Sequence, residues 1–132
     1  MPSLPPDPTA FAWTFGWGLI LAGFLSGALV GLGFHREDFL GGYSSLRRRL
    51  VRLGHIALVA LGILNLAYAL TPLVGLSPRW PELGALGLAI GGVAMPLVCF
   101  LTAWRPVFRH VFFIPVLALS LGALSTVLSL PS

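Results

Sequence analysis

The sequence predicts an all-α integral membrane protein: one bundle of four transmembrane helices, arranged as two helical hairpins, with both termini on the non-cytoplasmic side. Three observations carry this expectation. Of 132 residues, 57% are hydrophobic and only 9% charged, whereas a soluble domain carries about 25% charged residues. Four segments each supply the roughly 20 mostly apolar residues that a spanning helix needs. Finally, Arg36, Arg47, Arg48, Arg49, Arg52, Arg105 and Arg109 fall on one side of these segments and Arg79 alone on the other. Arginine-rich short loops face the cytoplasm, so the expected location is the inner (cytoplasmic) membrane, multi-pass.

The elements follow in order. Residues 1–10 read as an extended proline-rich tail ahead of a single domain at 11–132. The tail has no positive charge and so no secretory n-region, and the helix from Trp13 onward is expected to be retained. The first span is 11–34. The loop after it holds Gly41-Gly42 as a turn and Ser44 or Ser45 as a helix cap. Arg47, Arg48, Arg49 and Arg52 then carry the second helix out of its apolar span, 50–71, into the headgroups. Trp80 suits the interface and Pro81 a helix start before the third span, 83–104. Little more than Arg105-Pro106 separates it from the fourth, 107–130, and Pro96 and Pro115 are expected to kink their helices. The segments are too long and too continuously apolar for barrel strands.

In lipid, helices associate by close packing of small residues. Gly23, Gly27 and Gly31 recur every fourth residue on the first helix as a glycine zipper; Gly87 and Gly91 do so on the third, and Gly122 lies between Ala118 and Thr126 on the fourth. These faces serve either the bundle itself or a neighbouring subunit.

The net charge of +4 comes from arginine alone. These arginines flank apolar stretches instead of forming a soluble patch, which points to the lipid bilayer and its anionic headgroups and away from nucleic acid. His35, His55 and His110 all come to the arginine-rich edge. Each reads as an ordinary interface histidine that snorkels, meets lipid phosphate or caps a helix. The chemical alternative joins His55 and His110, at similar depth on two helices, as axial ligands of a b-type haem, with Arg52 and Arg109 at its propionates. Met95 and Cys99, one turn apart, could with a histidine hold Cu(I), or simply fill the core. Asn65, near mid-membrane, reads as an interhelical hydrogen bond to Ser26 or Ser120, or as a contact to a cofactor. A quinone near His55, Tyr68 or an arginine is a further alternative without a motif.

No Asp or Glu lies inside a span, which disfavours ion-coupled transport. No nucleophile–base pair, phosphate loop or protease motif is present, so there is no reaction to assign and an enzyme is disfavoured. The leading expectation is a small non-catalytic subunit or accessory protein bound to other membrane subunits of a larger complex, with an electron-transport complex as the host suggested by size and class. A haem b electron carrier and a copper-handling or assembly protein are the alternatives.

Overall fold

The computed structural model describes residues 7–131. Its main elements are α1 (Pro8–Phe34), α2 (Leu46–Ala69), α3 (Pro81–Trp104) and α4 (Phe113–Val127). The first three are long and apolar enough to cross a membrane, and α4 joins the 3-10 segment before it to make a fourth such stretch, Pro106–Val127. At about 1.5 Å per residue, α2 and α3 reach ~36 Å, longer than the ~30 Å hydrocarbon core.

Local chemistry sets the helix ends, and several differ from expectation. Pro8, Thr9 and Ala10 belong to the first turn of α1 and not to an extended tail. Asp7 caps that turn, its Oδ1 accepting from the Thr9 amide at 3.0 Å, and Pro8 opens the helix where its missing N–H costs nothing. Residues 1–6, the rest of the expected tail, lie outside the described residues. Ser45 is the cap of α2: its Oγ accepts from the Arg48 amide at 3.1 Å, so the arginine run is helical from the start. The fourth helix departs most. Residues Pro106–Val111 wind as a 3-10 helix, and α geometry begins only at Phe113. Pro115 explains this, because it has no N–H for the Val111 carbonyl and its ring crowds that carbonyl. It therefore starts an α-helix instead of kinking one. At the other end, Leu130–Pro131 pairs antiparallel with Leu76–Ser77, fastening the C-terminal segment to the α2–α3 loop.

The helices pack in chain order: α1 on α2, α2 on α3, and α3 on α4, with α1 also touching α3. α4 makes no extensive contact with α1 or α2. α3 is the hub, with 56% of its apolar window buried against 22%, 22% and 17% for α1, α2 and the fourth stretch. Its inward face is Gly84, Ala85, Gly87, Leu88, Gly91 and Gly92, small enough for both neighbours to approach. A Cβ on Gly87 would stand 2.7 Å from the Ala118 carbonyl oxygen of α4. Between α1 and α2 the closest approach is Gly16 to Gly62: a Cβ on either would lie 2.8 or 2.7 Å from the other's carbonyl oxygen.

Gly23 and Gly27 continue that contact, against Val59 and His55. Gly91 receives Leu119, and Gly122 receives Leu88. Gly31 departs from the expected zipper, because a Cβ there would meet no atom within 4 Å. Ala12, Tyr68, Ala85 and Leu88 form the core cluster. Around it, the Tyr68 hydroxyl donates to the Pro81 carbonyl and Ser125 Oγ to the Trp80 carbonyl at 2.8 Å, so α2 and α4 both hold the start of α3.

Candidate functional site at the arginine-rich end

The C-terminal ends of α1 and α3 and the N-terminal end of α2 meet at one edge of the bundle, and arginines from α2 join them. Arg48 is only 6% exposed. Its Nη2 donates to the Phe34 carbonyl at 2.9 Å, and its Nη1 to the Arg36 and Glu37 carbonyls at 3.4 Å each. These acceptors are the last carbonyl of α1 and the two oxygens that follow it closely in the chain. The guanidinium also lies 4.6 Å from the Phe34 ring centroid and 5.6 Å from that of Tyr43. Arg52 approaches the same rings at 6.0 and 5.4 Å. Arg47 does the equivalent for α3, its Nε donating to the Ala103 carbonyl at 2.9 Å. A cation at a helix C-terminus answers both the orphan carbonyls and the negative end of the macrodipole. α1 and α3 have no basic residue in their own last turns, so α2 supplies both.

The other cations of this edge, Arg36, Arg49, Arg105 and Arg109, are exposed. Arg36 makes the one ion pair found among the described residues, at 3.4 Å to the exposed Asp38. Seven arginines face two carboxylates here, Glu37 and Asp38, an excess of five positive charges.

His55 sits deeper on α2 and turns to α1. Its Nδ1 lies 2.9 Å from the Gly23 carbonyl and 3.3 Å from Ser26 Oγ. A carbonyl only accepts, so Nδ1 is the donor of this bond. The ring fills the slot that Gly27 leaves open on α1. His110 lies exposed in the 3-10 segment ahead of α4, with its Nε2 3.5 Å from Arg109 Nε. That segment packs on α3. His55 thus engages α1, while His110 belongs to a segment that packs on α3, and no hydrogen bond among the described residues joins the two. Arg52 lies over Phe34 and Tyr43 and Arg109 beside His110, on separate elements. His35 is exposed at the end of α1.

Cys99 is buried and Met95 half-buried on α3. Among the described residues, no three His, Cys, Asp or Glu side chains converge as metal ligands. Asn65 is fully buried and donates Nδ2 to the Leu61 carbonyl of its own helix at 2.8 Å and to the Leu88 carbonyl of α3 at 3.4 Å. It thus ties α2 to α3, with neither Ser26 nor Ser120 as partner, and its Oδ1 has no partner. Tyr68, a suggested quinone contact, is engaged with Pro81.

Arg47 and Arg48 as caps, and Gly16 as the closest glycine of α1, were not singled out from the sequence. The chain matches no protein-family model, no curated protein and no solved structure.

Proposed function

We propose that this chain is a small non-catalytic membrane subunit or accessory protein that docks on another membrane protein through α1, with its arginine-rich end in the cytoplasm and both termini on the opposite side. The observation that carries the docking is the outer face of α1. Thr14, Gly18 and Ala22 recur every fourth residue and are all exposed. A Cβ at Gly18 would meet no atom within 4 Å, and a shallow groove lined by Phe11, Thr14, Phe15, Gly18 and Leu19 runs beside it. In lipid such a face gains from a close-packed helix, because tails offer no advantage over a fitted partner. The inner small face of α1, from Gly16 to Gly27, is already filled by α2; the outer one has no partner helix among the described residues. The non-catalytic part of the reading rests on the polar groups, since His55, Tyr68, Ser125, Arg47 and Arg48 each hold a backbone carbonyl. The geometry lends no support to an electron-transport host.

The test is isolation from native membranes in mild detergent. The 14.0 kDa chain is expected to migrate with a second membrane protein, and Gly18→Leu to release it while the bundle stays folded. Migration of the wild-type chain alone would reject the reading.

A further inference from the structure

We propose that the groove between the N-terminal turn of α2 and the C-terminal turn of α3 binds an anionic phospholipid. A cavity of about 280 Å³ lies there, lined by Leu40, Arg47, Val51, Phe100, Ala103 and Trp104. Its polarity runs along the helix axes. Arg47 stands four residues above Val51 on α2, and Trp104 four residues beyond Phe100 on α3, so each pair shares a helix face. Arg47 and Trp104 are exposed at the mouth, and Val51 and Phe100 lie half-buried one turn deeper. A charged group over an apolar wall is the shape of a phospholipid headgroup over its first methylenes, and basic pockets between membrane helices suit anionic headgroups.

The walls are fixed. The Phe100 ring rests on Gly54, where a Cβ would come within 2.7 Å of it, and Ser45 Oγ holds the Leu40 carbonyl at 2.6 Å. Arg47 donates to Ala103 only through Nε, and among the described residues no protein acceptor lies against its two Nη atoms. The start of α2 adds its positive dipole end, and Arg105 follows Trp104 directly. Against these charges stand the C-terminal carbonyls of α3, one of which Arg47 already meets, and the carboxylates Glu37 and Asp38, of which Asp38 pairs with Arg36. The site holds whether or not α1 has a protein partner.

Native mass spectrometry of the full chain in mild detergent tests it, using dioleoyl phosphatidylglycerol, dioleoyl phosphatidylcholine and chain-free glycerol phosphate as probes. Phosphatidylglycerol is expected to be retained in preference to phosphatidylcholine, with glycerol phosphate unable to displace it. Arg47→Gln should weaken retention about fivefold, the effect of one cation near a lipid phosphate. Val51→Phe fills the groove while keeping every arginine and should weaken it similarly, which reads the groove even if the Arg47 variant fails to fold. Arg79→Gln, at the opposite end, should change nothing. Equal retention of the two lipids overturns the proposal, as does loss in Arg47→Gln with none in Val51→Phe, which is an effect of edge charge alone. Displacement by glycerol phosphate as effective as by the lipid makes the groove a phosphate site and overturns it too.

Discussion

A cation in the first turn of a helix meets the positive end of its own macrodipole, and α2 carries three there, Arg47, Arg48 and Arg49. The first two are explained by their neighbours, because they hold the carbonyl ends of α3 and α1. Replacing Arg48 with Ala leaves the Phe34, Arg36 and Glu37 carbonyls without that donor. It should destabilise the bundle by about 1–3 kcal/mol, the range for hydrogen bonds to a charged group, in unfolding measured in detergent. Arg49→Ala, on an exposed residue, should stay within about 0.5 kcal/mol. The arginine run was legible in the sequence as a topology signal. Its capping role was not, because the acceptors lie on other helices, although three cations at the unfavourable helix end were a sign of it. The histidines show the converse. Their shared edge followed from topology, but the direction of the His55 ring depends on which neighbour leaves a slot, and that neighbour is Gly27 of α1. Protein produced with ample haem is therefore expected to show no Soret band; a band that disappears in His55→Ala would contradict this placement.

At the scale of the element, hydropathy located all four apolar stretches, because lipid demands their length and composition. Their ends were set by single residues that hydropathy averages away: Asp7 for α1, Ser45 for α2 and Pro115 for α4. Pro115→Ala restores an amide to face the Val111 carbonyl. The helical circular dichroism should rise by about one turn, or ~3.6 residues, and no rise would mean that something other than proline holds the 3-10 segment. Glycine spacing likewise named candidate contact faces without ranking them. Gly62→Leu drives a side chain into the Gly16 backbone, and overpacking of that kind costs about 1–3 kcal/mol or more. Gly31→Leu enters open space and should leave stability within about 0.5 kcal/mol. The sequence treats these glycines alike; only the crossing of α1 over α2 separates them.

The whole molecule is a row of helices around α3, with charge gathered at one end and small residues uncovered on one flank. The proposed sidedness rests on the charge. In a Cys99→Ala background, Ser44→Cys in the arginine-rich loop should resist a membrane-impermeant maleimide in intact cells, while Ser77→Cys in the opposite loop reacts; the reverse pattern would invert the orientation. Helix order was beyond the sequence, since four apolar helices with small faces can be arranged in several ways. In that order α4 makes no extensive contact with α2, and the outer face of α1 stays open. The docking of that face is tested most directly by a photo-crosslinking residue at Gly18 in native membranes, with Leu117 of α4 as the control position. A discrete adduct with one other membrane protein at Gly18, absent at Leu117, is the predicted result. Adducts with lipid alone, with a second copy of the chain, or equally at both positions would contradict a subunit that docks through α1.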